Sequence, residues 1–541
     1  MNILPIVERE FRVASRGRWT PILRVLMGLG ALVAAWIGFE ETKYSRVGGG
    51  DDILVSISYS ALIFCGFAGA FLTADSISFE KREGTLGLLL LSNLSPIEIV
   101  LGKLASGGLR FLVLLMAMIP FMMLPLLKGG VTWVEVIRSW LALISVFSFS
   151  ASLGLLVSAY ATEARTAVMS TFSIILLFTL LPLLITVVLL VFMGGNGNDF
   201  VFVMMLSPLM VPFQSINDMY NSGGGDGIWA YWLSVLYYWV LSVGCVFWAS
   251  RQLTKSWWSL AFGSSDDSGS KKKKSGAIGL NAENPPKGLG RGESPYGWLV
   301  WSSYQRVKSL KWFSWFLILL ALAGLAGSLF KVRDSEVIFV IGLISIGLLH
   351  LMLKVDVELE SVRQIHVDAR EGGLELLMCT PLSEKQILNG MYRGMKTRSK
   401  YPSMILTFLN FLLILMILFM GKPLHLSRND YAPFLALFIG GMIVAWVDFR
   451  VIPWIGAYQA VKRKTQLTAG FVTIALVHLL PWLLVAVSMT IAANSGSFRS
   501  GEAAVLFGGF AIVFGVWAMI LKRLYKMKLM NHLREMVSEG G

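Results

Sequence analysis

The chain has 541 residues, of which 55% are hydrophobic and only 15% charged, with a mean hydropathy of +0.67. No soluble globule of this size has such a composition, so the sequence describes a polytopic membrane protein. Its net charge of +14 does not call for nucleic acid, because the bias of Lys and Arg toward cytoplasmic loops produces the same excess.

In chain order, apolar runs of roughly 20 residues, the length that crosses a bilayer core, occur near 20–40, 53–75, 103–127, 133–160, 166–193 and 229–250. A second set lies near 311–330, 337–355, 403–421, 432–458, 466–493 and 503–524. The expectation is an all-α membrane protein of about twelve transmembrane helices, arranged as two parallel six-helix repeats. The first unit occupies residues 1–252 and the second residues 295–541. Residues 253–294 between them, with "SSDDSGSKKKKSG" and "NPPKGLGRGESP", read as a polar cytoplasmic linker. Its tetralysine, Lys271 to Lys274, is a solvated segment or a contact for anionic lipid.

Each unit opens on a basic, Trp-containing segment, "LPIVEREFRVASRGRW" and "YGWLVWSSYQRVKSLKW", suited to an interfacial elbow helix. With a cytoplasmic N-terminus only nine of the 47 Lys and Arg fall outside: Lys43, Arg46, Lys128, Arg138, Lys331, Arg333, Lys422, Arg428 and Arg499. That bias places both termini in the cytoplasm. Six spans per unit then make the repeats parallel rather than inverted.

The strongest internal match is "EKREGTLGLLLLSNLSPIEIVLGK" at Glu80 to Lys103 against "DAREGGLELLMCTPLSEKQILNGM" at Asp368 to Met391. At a constant offset of 288, ten of 24 positions are identical. A second match pairs "SAYATEART" after the fourth span with "GAYQAVKRKT" after the tenth. In the first match Ser95 and Glu98, and Ser383 and Gln386, have the spacing of a capping box that starts the next helix. Upstream, Gly84 and Gly372 isolate a short apolar helix, about residues 85–91 and 373–379, which cannot cross a bilayer. An apolar helix displayed between charged flanks seeks the headgroup layer or a groove in a partner protein.

This pattern, acid, base, Glu-Gly-Thr-Leu, paired leucines and a Gly-Lys ending, set between spans two and three, resembles type-2 ABC transporter permeases. The likeness covers nearly the whole chain as two fused permease units. It implies that the short segment is a coupling helix that sits in a cleft of a separate ATP-binding subunit. The residues so implied are Glu80, Arg82, Glu83, Gly84, Thr85 and Leu86 in the first copy. In the second they are Asp368, Arg370, Glu371, Gly372, Leu374 and Glu375. The copies differ at Gly87 against Glu375, Thr85 against Gly373 and Lys103 against Met391, so the two contacts are expected to be unequal. The resemblance further implies two ATP-binding partners, surrounding lipid, export of an unidentified substrate, and residence in a bacterial cytoplasmic (inner) membrane.

No phosphate-loop pattern occurs: "GGGDG" near Gly223 and "GLGRG" near Gly288 lack its lysine. ATP is therefore expected on the partner, with no cofactor and no catalysis in this chain. Cys65, Cys245 and Cys379 are too far apart for a metal spacing, and the five His are scattered. Asp448 and Arg450, inside span ten, form either a structural pair or cytoplasmic vestibule, or part of a substrate path. Charges in "HLMLKVDVELE" late in span eight are read as a helix projecting beyond the membrane. Two rival functions stay open: an ion-coupled secondary transporter using Asp448, and a non-transporting membrane scaffold that recruits an ATPase. A one-sided outer lid is expected in residues 194–227, where the second copy has only a short loop.

Overall fold

In a computed structural model the structure describes residues 7–9, 19–41, 49–91, 94–193, 203, 206–221, 226–262, 294–303, 308–329, 335–420, 431–463, 465–479 and 500–540. Among these every regular element is helical. The chain divides into two compact units, Met1–Lys271 and Lys272–Gly541. The tetralysine, most of the linker and seven of the nine basic residues expected outside lie beyond the described residues.

In the first unit, α1 (Trp19–Glu41) and α2 (Gly50–Leu72) precede two short helices, α3 (Ser76–Arg82) and α4 (Leu86–Leu91). Then come α5 (Pro96–Leu115), α6 (Trp133–Tyr160), α7 (Ala164–Met193) and α8 (Asp226–Phe262). Helix α6 is the axis of this unit, with 72% of its span buried against α2, α5, α7 and α8. Its sequence explains why: small residues such as Ser145, Ser150, Ala151, Ser152 and Gly154 let neighbouring helices approach closely. Several of their hydroxyls return to backbone carbonyls, as Ser145 Oγ does to Ala142 at 2.7 Å, so these hydroxyls are satisfied within the unit.

The second unit runs α9 (Pro295–Ser303), α10 (Lys308–Leu329), α11 (Ser335–Arg370), α12 (Gly373–Met378), α13 (Glu384–Met420), α14 (Tyr431–Lys462), α15 (Gln466–Ile474) and α16 (Ser500–Gly540). Here α14, the counterpart of α6, is central and packs on α11, α13, α15 and α16. Seven helices among the described residues are long and apolar enough to span a bilayer: six in the first unit and Phe438–Lys462 in the second. Helices occupy the described residues of the five remaining segments expected to cross, of which 466–493 is described only as far as residue 479.

The two copies depart from each other at the end of span two. In the first unit a turn at residues 73–75 separates α2 from α3, whereas α11 continues unbroken for 36 residues. Part of the segment expected to form an outer lid lies within the described residues. Short helices at Pro208–Met210, Val211–Gln214 and Asn217–Tyr220 fold into the unit, with Pro208 and Val211 buried. Ser207 Oγ donates to Thr179 O at 2.9 Å, and Ser139 and Ser215 share a hydrogen bond of 2.7 Å.

Candidate coupling site

Both copies begin the helix after the short one with the predicted cap. The Glu98 carboxylate accepts from Ser95 N at 3.0 Å and Ser95 Oγ at 2.8 Å. Gln386 Oε1 accepts from Ser383 N at 2.8 Å and Ser383 Oγ at 3.0 Å. On the other side, Gly84 has φ +70° and Gly372 φ +75°. An added Cβ would meet nothing within 4 Å at either, so the requirement for glycine is conformational rather than spatial.

That left-handed residue turns the chain so that each short helix buries its first leucine and presents the one two residues on, joined in the first copy by Leu91 at 71% exposure. Leu86 and Leu374 are buried, at 2% and 3% exposure. Leu88 and Leu376, equivalent at the offset of 288, are 69% and 72% exposed. Arg82, Glu83, Arg370, Glu371 and Glu375 are exposed around them. The result in each unit is an apolar knob ringed by charge.

Glu80 and Asp368 do not join that surface. They are equivalent residues, and both turn inward to hold the short helix to its own unit. Glu80, 3% exposed, lies 3.5 Å from the equally buried Lys103 Nζ and 3.3 Å from Arg9, and accepts a hydrogen bond from Thr85 Oγ1. Thr85 is thereby also committed internally. In the second unit Lys103 is replaced by the buried Met391, and Asp368 accepts from Tyr296 of the elbow helix α9 at 2.6 Å and from Gln364 at 3.4 Å.

The exchange of lysine for methionine reverses the electrostatics. Burial pushes the Glu80 carboxyl up, but Thr85, Lys103 and Arg9 together outweigh it and hold the group below its ordinary value. For Asp368 burial dominates and raises it, with Glu371 adding and Tyr296, Gln364 and Arg363 opposing. A lowered carboxylate gives stability that is present above the unfolded value and lost as pH falls through the folded one. A raised carboxylate gives stability that is present below the unfolded value and lost as pH rises through the folded one. On acidification below 4.5, amide hydrogen exchange at α3, corrected for its intrinsic rate, is therefore expected to accelerate. The last turn of α11 is expected to become better protected as pH falls toward 3.8.

The segment also grips the C-terminal end of the central helix. Lys81 Nζ donates to the carbonyls of Ser158 at 3.5 Å, Ala159, and Ala161 at 3.3 Å, the negative end of the α6 dipole. Arg82 pairs with Asp75 at 2.9 Å and reaches Thr162 O at 3.2 Å. In the second unit His366 Nδ1 meets Ala460 O at 3.0 Å, the position equivalent to Thr162 by the Tyr160/Tyr458 register. A force on the short helix thus passes directly to the helix around which each unit is packed.

Asp448 is ion-paired with Lys354 of α11 at 2.6 Å, and the Arg450 guanidinium lies 3.4 Å from the Trp446 ring centroid. The pair is Lys354–Asp448, and Arg450 stacks separately within its own helix. Helix α11 extends to Arg370, up to the short helix, and along it Asp356, Glu358 and Glu360 are buried within the unit, at 1%, 0% and 3% exposure. Glu358 meets His478 at 2.8 Å, and Glu360 pairs with Arg363 at 2.8 Å. These partners lie on another helix or on the next turn. Among the described residues no cluster of His, Cys, Asp and Glu could hold a metal ion.

Each unit thus carries a charged, leucine-tipped element packed against the helix at its centre. Residues 4–251, the first unit, match the family of ABC-2 family transporter proteins, membrane permease components of ABC transporters, a class that works with ATP-binding subunits. A comparison with curated proteins gave no match.

Proposed function

We propose that this chain forms the translocation pathway of an ATP-driven exporter and receives one ATP-binding subunit at each of its two short helices, α4 and α12. The observation that carries this reading is the repeated knob, Leu88 and Leu376 exposed on a short helix fixed by a left-handed glycine and an inward anchor. The surface offered to the partner is Arg82, Glu83 and Gly84 with Leu88, and Arg370, Glu371 and Glu375 with Leu376. Glu80, Thr85, Leu86, Asp368, Gly372 and Leu374 hold that surface in place. ATP binds the partner, and the chain itself supplies no catalytic group or cofactor. Both termini face the cytoplasm of a bacterial cell, following the charge bias of the loops.

An ion-coupled mechanism has less to work with, because Asp448 is engaged by Lys354 rather than presented to a cavity. The test is mild-detergent purification from the native cell. Glu83→Lys and Glu371→Lys reverse exposed rim charges and are expected to weaken the co-purifying ATPase severalfold each, more at low salt. A wild-type chain that carries no ATP-binding protein under several conditions overturns the reading.

A further inference from the structure

Four cations of the second unit converge where α13, α14 and α16 meet. Lys522 of α16 is within electrostatic reach of Lys526 on the same helix, of Arg450 on α14 and of Lys396 on α13. Aromatic rings hold three of them in place. Lys522 Nζ lies 5.7 Å from the Tyr392 ring centroid, Lys526 Nζ 5.2 Å from that of Trp454, and the Arg450 guanidinium 3.4 Å from that of Trp446. Tyr392 and Trp454 stack on each other at 5.4 Å, so the two lysines are held over neighbouring rings.

No acid balances this charge. Among the described residues Lys396, Arg450, Lys522 and Lys526 make no ion pair, and the carboxylate nearest Arg450 along α14, Asp448, is taken by Lys354. The polar groups gathered here are donors: three ammonium groups, one guanidinium, and the indole N–H of Trp454, which is buried without a hydrogen-bond partner. Like charges brought together repel one another unless an anion joins them. The bias of basic residues toward the cytoplasm accounts for lysines near the ends of spans, but not for their convergence on two stacked rings.

The first unit shows that the fold does not need this cluster. At the offset of 288 Tyr392 and Lys396 correspond to Leu104 and Gly108, and by the Tyr160/Tyr458 register Arg450 and Trp454 correspond to Ser152 and Leu156. Leu104 and Leu156 pack against that unit's buried hydrophobic core. One copy closes the place with apolar side chains, while the other gathers positive charge there.

Depth points to the source of the anion. Lys396 precedes expected span nine, Lys526 follows expected span twelve, and Arg450 and Lys522 lie toward the cytoplasmic ends of spans ten and twelve. That is the level of the lipid headgroups. Trp446, against which Arg450 stacks, and Met519, one turn before Lys522, are exposed. A lipid can cover such apolar surface with its chains while its phosphates meet the cations, whereas a soluble anion gains nothing from it.

We infer that this cluster binds the head of an anionic lipid of the cytoplasmic leaflet, one that carries two phosphates, because four cations exceed the charge of a single phosphodiester. The choice of leaflet rests on the orientation proposed above.

The test is native mass spectrometry of the full chain in mixed micelles with cardiolipin, phosphatidylglycerol or inorganic pyrophosphate added. Cardiolipin should be retained in preference to phosphatidylglycerol, and pyrophosphate should not displace it. Lys396→Gln with Lys522→Gln should lower cardiolipin retention at least about tenfold, roughly fivefold for each ammonium removed. Arg523→Gln with Lys528→Gln, exposed cations of α16 outside the cluster, should leave it unchanged. Equal loss in the two pairs of variants would mean diffuse attraction to a basic surface, and equal retention of the two lipids or displacement by pyrophosphate would mean a different ligand; each overturns the assignment. Should the cluster variant fail to fold, the competition on the wild-type chain decides alone. A wild-type chain that retains no cardiolipin yet co-purifies with an ATP-binding protein refutes only this inference, whereas one that retains the lipid but carries no ATP-binding protein refutes only the function.

Discussion

Lys354→Met is expected to cost the second unit about 3–5 kcal/mol, because it leaves the Asp448 carboxylate buried without its partner. The two side chains are only 12% and 6% exposed, and their 2.6 Å contact ties span eight to span ten. The equivalent residues in the first unit, Gly66 and Ser150, also touch. There Ser150 Oγ donates to Gly66 O at 2.7 Å. A neutral hydrogen bond in one copy has become an ion pair in the other. Replacing both members, Lys354→Met with Asp448→Leu, should therefore recover most of the loss, since the desolvation cost of both charges disappears together. Denaturant titration in mixed micelles reads the cycle. A double variant less stable than either single one would show that the pair is not the source of the effect.

Much of the architecture was legible because membrane spans declare themselves by local composition. The twelve apolar segments, the capping boxes at Ser95 and Ser383, and the left-handed glycines all depend on residues within a few positions of one another. The inward turn of Glu80 and Asp368 does not. It requires Lys103, Arg9 and Tyr296, which are brought in by other helices. A signal was nonetheless present: the sequence varies Lys103 to Met391 opposite an acid kept in both copies, and a buried acid must be re-neutralised when its cation is lost. The burial of the α11 acids is hidden in the sequence for the same reason: only the fold sets His478 beside Glu358 and Arg363 beside Glu360.

The largest functional effect is expected at the two exposed leucines. Leu88→Asp and Leu376→Asp leave the internal anchors Leu86 and Leu374 untouched, so the permease should retain its thermal stability. A leucine moved from water into a partner's cleft contributes about 1.5–3 kcal/mol, and an aspartate in its place adds an unpaired buried charge. Each single variant should lower affinity for the ATP-binding subunit at least about tenfold, and the double variant should leave no complex on gel filtration. The comparison with Glu83→Lys and Glu371→Lys is informative, because rim charges act mainly on association rate and salt dependence, whereas a central apolar anchor acts on dissociation. The two sites should also differ. The first knob is held by a buried ion pair and the second by a raised carboxyl with Tyr296, so complex formation through Leu376 should strengthen relative to Leu88 as pH falls toward 4.5. Equal pH dependence of Leu88→Asp and Leu376→Asp binding would sever the link between the anchors and the surface they hold.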